Sequence, residues 1–293
     1  MQMSKGKKPG PRKPMVYGEH GLGKSSIAAC SPKPLFLDIE QGTNDLDVER
    51  WPEPIVSYGQ FVQILKWVRT QEHEYKTLVI DTVDWLERLI FKQIAEFAGV
   101  QSVADIDYGK GFPRAIPMWE FILGELDYIF RERRMTIVLL SHARIEHVKN
   151  PEGAEYDRYS PDLWINKNGE GAGRMLQEWA SDVFFIRKKK FVRTEGKGFN
   201  ERGMAVGTEE REMLTSDTAF ASAKNRLNMP TIVPATWDEY LKYVVANLPK
   251  KAEPIITEPA GNISGIVVDG TSKKKEESPQ IAEMQVFFGD SQT

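Results

Sequence analysis

Short apolar runs punctuated by glycine and proline alternate with amphipathic stretches over most of this chain. "MVYG" (15–18), "PLFLDIE" (34–40), "TLVIDT" (77–82) and "TIVLLSH" (136–142) are apolar segments of strand length, each bounded by turn signals. Runs without polar alternation predict strands buried on both faces of a parallel sheet. A fifth run, "DVFFIRKKKFV" (182–192), and the segment 203–216 flank the polar "TEGKGFNERG", which predicts a hairpin. Between the strands the apolar period becomes helical. Phe61, Leu65 and Val68 fall on one face, as do Leu86, Leu89, Ile90 and Phe97, with Gly99 as the stop. A third helix is expected over 115–133. Thr236 and Glu239 form a capping-box pair ahead of Tyr240, Val244 and Leu248, predicting a last helix.

Strands alternating with helices predict an α/β fold: a mostly parallel twisted sheet, helices on both faces, and an antiparallel hairpin extension. Residues 1–14, rich in Gly, Pro and Lys, are expected to form a basic flexible arm ahead of a core at 15–248. From 249 to 293 the composition shifts to Pro, Gly, Ser and a "KKKEE" run, predicting a linker and disordered tail. The tail's apolar end, "IAEMQVFFGDSQT", is a candidate docking segment for a single-strand-binding or replication protein.

Composition narrows the class. With 41% hydrophobic and 28% charged residues over 293 positions, the chain has the makeup of a globular protein. No apolar run approaches the ~20 residues of a membrane helix, so no membrane partner is expected. The lone Cys30 excludes an internal disulfide and, with a start that lacks an apolar leader, predicts a cytoplasmic protein. A net charge of −3 gives no global attraction for nucleic acid. Basic residues nevertheless cluster at Lys5, Lys7, Lys8, Arg12 and Lys13 and in "RKKKFVR" (187–193), where they can meet phosphates locally.

The chemistry centres on "GEHGLGKSS". Gly18, Gly23, Lys24 and Ser25 have the G-x-x-x-x-G-K-S spacing of a phosphate-binding loop, preceded by an apolar strand and followed by a helix-compatible run. Glycines let backbone N–H groups approach phosphate oxygens. Lys24 would reach the β- and γ-phosphates and Ser25 would ligate Mg²⁺, so ATP and Mg²⁺ are the expected cofactors. The nucleotide-binding set is Gly18, Glu19, His20, Gly21, Leu22, Gly23, Lys24, Ser25 and Ser26. Asp81, closing the apolar "TLVID", is the metal-orienting carboxylate in the Walker B pattern. Asp38 and Glu40 close the second strand, where a carboxylate can orient and deprotonate the attacking water. Alternation puts both on one face, so spacing does not rank them.

Two polar segments follow. In "DIDYGKGFPRAIP" (105–117), Lys110 and Arg114 interleave with Tyr108 and Phe112, a pattern suited to single-stranded nucleic acid. The segment 143–175 carries Arg144, Lys149, Arg158, Lys167 and Arg174 with no strong periodicity, as expected of a long functional loop. Within it, "DRY" (157–159) is also found in nucleotide monophosphate kinases, which keeps a kinase as an alternative. His20, His73, His142 and His147 have no spacing to cysteines or carboxylates that suggests a zinc site.

The motifs together resemble the RecA-like recombinases. "LFLDIEQGTNDLD" is similar to that family's second-strand motif, in which the Glu of D-x-E is the catalytic base; the resemblance selects Glu40. "VIDTVDWL" is similar to its Walker B strand. "IVLLSHARIEHV" is similar to the next strand, whose terminal polar residue senses the γ-phosphate and leads into a DNA-binding loop. Here that residue is His142, where the family commonly has Gln. "SAKNRLNMP" resembles a late basic segment that reaches the neighbouring protomer's nucleotide, placing Lys224 and Arg226 in that role. "PLFLD-x-E", "YGKG" (108–111) and "KNRL" (224–227) resemble the phage RecA-like ATPases of single-strand annealing and recombination, over about 15–248. The resemblance implies a DNA-stimulated ATPase that assembles on single-stranded DNA as a ring or filament, in a host-cell cytoplasm if phage-encoded. An ATP-gated annealing module that does not hydrolyse is the other alternative.

Overall fold

A computed structural model describes residues 6, 10–151, 153–195 and 202–248. The rest of the expected arm, residue 152, the tip of the expected hairpin and the tail 249–293 lie outside the described set, as do the side chains of Tyr108, of 190–195 and of 202–207. Along the chain run β1 (Pro14–Gly18), α1 (Lys24–Ala29), β2 (Pro34–Asp38), β3 (Glu49–Arg50), α2 (Tyr58–Thr70) and β4 (Thr77–Asp81). Then come α3 (Val83–Ala98), α4 (Ala115–Glu132), β5 (Thr136–Val148), β6 (Tyr156–Pro161) and α5 (Ala172–Trp179). The chain continues with β7 (Asp182–Glu195), β8 (Arg202–Leu214), β9 (Ile232–Pro234) and α6 (Trp237–Ala246).

The sheet order is β3-β2-β4-β5-β1-β7-β8-β9. Pairings from β3 through β7 are parallel, whereas β7–β8 and β8–β9 are antiparallel, as the hairpin expectation requires. The apolar runs are explained by what covers them. Met15, Tyr17, Leu35, Leu37, Leu78 and Ile80 pack on one side against α2, α3, α4 and α5. Val16, Phe36, Val79, Val138 and Phe184 pack on the other against α1 and α6. Every position of β1 and β4, and the three central positions of β2, are therefore buried. Among the described residues, no helix is long and apolar enough to cross a membrane.

Four boundaries depart from the sequence reading. Arg12 and Lys13, expected in the flexible arm, are tied to the core. Arg12 Nη2 lies 2.7 Å from the fully buried carboxylate of Asp182, and Lys13 Nζ lies 3.1 Å from Asp127. A buried carboxylate stripped of its cation typically costs ~3–5 kcal/mol, so Asp182 fixes this segment. Phe97 is 82% exposed, because the buried face of α3 ends at Ile94 and Ala95. β5 runs six residues beyond the expected His142, to Val148. Finally, 143–175 is not one irregular loop. Its first part pairs Ala143 with Pro161 and Val148 with Tyr156 in an antiparallel hairpin, and its end enters α5. That hairpin carries polar and charged side chains on most positions, so hydrophobic periodicity could not reveal it.

Candidate functional site

β1, β2 and β4 end side by side, level with His142 of β5. Gly18 pairs with His142, and Asp38 with Asp81, so the phosphate loop and the expected carboxylates share the carboxyl edge of the sheet. Gly18 is required there, because a Cβ would stand 2.6 Å from the Ile186 carbonyl oxygen. Gly23, at φ +74°, takes a left-handed conformation, and Arg211 Nη1 occupies the space a Cβ would need.

Lys24 is 6% exposed, and its ammonium donates to the carbonyls of Gly18 (3.1 Å) and Glu19 (3.0 Å). Burial pushes its pKa down, against the attraction of Asp81 and Glu40. Ser25 Oγ donates to Asp81 at 2.6 Å. Burial pushes the Asp81 carboxyl up to about 6, opposed by the Ser25 hydrogen bond and reinforced by the charges of Asp38 and Glu40. A hydroxyl beside a buried carboxylate is a hard-oxygen donor set that fits Mg²⁺.

The two carboxylates that spacing left unranked have different occupations. Asp38 accepts hydrogen bonds from the Gly42 and Thr43 amides and from the Thr43 hydroxyl, and so holds the turn after β2. Glu40 stands past the strand end, with its amide on the Asp81 carbonyl and its carboxylate 3.6 Å from His142 Nε2. Asp84, in the first turn of α3, accepts from the His142 amide (2.9 Å) and ring Nδ1 (2.8 Å). Burial alone would raise the Asp84 carboxyl, but these bonds from His142 outweigh it and hold the pKa below the usual value. An ionised carboxylate only accepts, so Nδ1 carries the proton and Nε2 faces Glu40. The His20 ring stacks on His142 with centroids 3.8 Å apart.

The expected DNA-contacting residues divide. Arg144, Arg158 and Arg174 line one cavity of about 430 Å³, between the β5–β6 hairpin and α5. Glu146 and Glu178 share it. Arg158 is held loosely, 3.5 Å from Glu146 and 3.6 Å from Asp217, whereas Arg174 pairs with Glu178 at 2.9 Å. Arg144 Nε is buried with no hydrogen-bond partner among the described residues. Lys149 and Lys167 are exposed outside the cavity, and Lys110 and Arg114 are exposed on the turns before α4. Phe112, expected to stack on a base, is engaged internally instead. It stacks on Trp164 (5.8 Å) and meets Phe91 edge-on (5.3 Å).

Lys224 and Arg226 are not brought to the phosphate loop of their own chain. Lys224 bridges to Val183, which pairs with Met15 at the opposite end of β1 from Gly18. Its ammonium donates to the carbonyls of Gln177, Glu178 and Ala180, closing the end of α5, and it lines the cavity with the three arginines. Arg226 is exposed, with its amide on Asp182.

Sequence reasoning missed three residues. Arg211 on β8 donates to the Leu22 carbonyl at 3.0 Å and braces the loop from far along the chain, with no local signal. Asp84 was visible only as an acidic residue in a helix's first turn. Glu87, one turn later, is buried, and burial pushes its carboxyl up to about 7; it accepts from the Trp164 amide at 2.8 Å.

A family model described as an AAA domain matches residues 11–227. Over 134 residues the chain is 26% identical to the SPbeta prophage-derived uncharacterized protein YorG of Bacillus subtilis (strain 168), covering 44% of this chain and 40% of that protein. The chain thus matches well under half the length of that relative. Among solved structures, the crystal structure of the RadB recombinase is similar at 13% identity and a TM-score of 0.38, covering 68% of this chain and 89% of that one.

Proposed function

The chain belongs to the AAA domain family, and from its nucleotide-binding ATPase character we propose that it hydrolyses Mg-ATP and couples this to binding single-stranded DNA, on which it assembles for phage-type recombination or strand annealing. The prophage origin of its relative is consistent with that setting.

One observation carries the reading. The chain Asp84–His142–Glu40 stands at the sheet edge beside Lys24 and the Ser25–Asp81 pair. In this assignment Lys24 and the loop amides hold the phosphates, and Ser25 and Asp81 hold Mg²⁺. A bound Mg²⁺ offsets charge on the phosphate oxygens. Glu40, released from any turn-holding duty by Asp38, orients and deprotonates the attacking water. Asp84 keeps His142 in one tautomer, so its Nε2 stays aimed at Glu40 and the γ-phosphate position.

The route to DNA follows the same strand. β5 leaves the parallel sheet at His142 and continues as the hairpin that brings Arg144 opposite Ser160 and Arg158 opposite Glu146. Anything that shifts His142 therefore acts on residues of the cationic cavity two positions away. Arginines around a roomy cavity suit phosphodiester oxygens, because a planar guanidinium takes two of them at once.

Arg144→Gln and Arg158→Gln are each expected to weaken single-stranded DNA binding and reduce the salt slope by about 0.7 per lost phosphate contact. Fluorescence anisotropy with a labelled oligonucleotide across a salt series measures both quantities. Unchanged affinity and slope in the two variants would separate this cavity from DNA.

A further inference from the structure

No local spacing gives this chain a metal motif, yet the fold gathers one. His20 comes from the phosphate loop, Glu40 from the turn after β2 and His142 from β5. One ligand atom from each lies within 4.8 Å of the other two. Donors around a tetrahedral ion at ~2.0–2.1 Å stand about 3.4 Å apart, so the exposed His20 ring, stacked on His142 with centroids 3.8 Å apart, must turn to bring its nitrogen into the set.

Two further features distinguish this group from a chance cluster. Asp84 accepts from Nδ1 of His142 at 2.8 Å and from its amide at 2.9 Å. That is the carboxylate–histidine support that orients a metal-ligating imidazole and directs its Nε2 lone pair outward. The donor set, two imidazoles and one carboxylate, also differs in kind from the hydroxyl–carboxylate pair of Ser25 and Asp81. Imidazoles suit Zn²⁺ and its first-row neighbours, whereas Mg²⁺ takes oxygen ligands.

We infer that His20, Glu40 and His142 form a site for a Zn²⁺-class divalent ion, with a fourth position open. Its occupation engages the Glu40 carboxylate and therefore inhibits ATP turnover. That consequence, unlike the site itself, rests on assigning Glu40 to the attacking water.

The test uses the metal-free full chain, titrated with Co²⁺ without nucleotide and followed by visible absorption. One equivalent should bind with the intense bands of low-coordinate Co²⁺, and Zn²⁺ should displace it. His20 is exposed, so His20→Ala keeps the fold; it should weaken binding at least tenfold. His147→Ala is the control, because His147 makes its own exposed group with Glu155 (2.8 Å) and Asp157 (2.9 Å). Absence of stoichiometric binding, unchanged affinity in His20→Ala, or loss in His147→Ala instead would each overturn the site. A second arm measures ATP turnover with added Zn²⁺, each protein being compared with its own Zn²⁺-free rate because His20 belongs to the phosphate loop; the wild type should be inhibited and His20→Ala should lose a smaller fraction of its rate. Binding without inhibition would leave the site standing and sink the role given to Glu40.

Discussion

Lys24→Ala is expected to lose ATP binding by at least ~100-fold while melting within a few degrees of the wild type. Lys24 is 6% exposed, and its ammonium donates to the carbonyls of Gly18 and Glu19, at 3.1 and 3.0 Å. Hydrogen bonds from a cation to phosphate are worth roughly 1.5–3 kcal/mol each, and the side chain can offer two or more. Such a loss amounts to at least two decades of affinity. The fold should tolerate the change, because the protein already holds this cation at a desolvation cost that lowers its pKa. Titration with a fluorescent nucleotide, alongside a thermal melt, separates the two effects. Affinity within threefold of the wild type would remove Lys24 from the nucleotide site.

Glu40→Gln is expected to bind ATP within a few-fold of the wild type and to turn it over about 10²–10⁴-fold more slowly, the usual worth of a general base. The amide keeps the size of the side chain and its reach to His142 but cannot take a proton in the transition state. Asp38→Ala should behave differently. Its carboxylate spends its hydrogen bonds on Gly42 and Thr43, so the variant should melt lower and keep measurable turnover. Single-turnover hydrolysis with prebound ATP reads the chemical step alone. Normal hydrolysis in Glu40→Gln together with a dead Asp38→Ala would exchange the two assignments.

β1, β2, β4 and the first half of β5 were legible in the sequence because each is covered on both faces. Met15 and Tyr17 serve one core and Val16 the other, so the run is uniformly apolar. The hairpin after His142 was not legible, since Arg144, Glu146 and Arg158 give no burial pattern to detect. Spacing alone left Asp38 and Glu40 unranked for a related reason. Strand alternation was extended to Glu40, but β2 stops at Asp38, and beyond it the turn decides where a side chain points. His20, Glu40 and His142 are scattered along the chain and meet only through sheet order. Lys224, to which the resemblance gives an intersubunit role, lies at the end of α5 in its own chain, with its ammonium on the carbonyls of Gln177 and Ala180. A basic residue on a late strand carries no sign of which carbonyls lie beside it.

The coupling of ATP turnover to single-stranded DNA is tested most directly by steady-state phosphate release from the full chain with Mg²⁺. The assay is run alone, with single-stranded DNA, and with nucleoside monophosphates at the same ionic strength. The account predicts slow release alone, clear stimulation by single-stranded DNA, and none by the monophosphates. Turnover indifferent to DNA but raised by a monophosphate that becomes phosphorylated would contradict it.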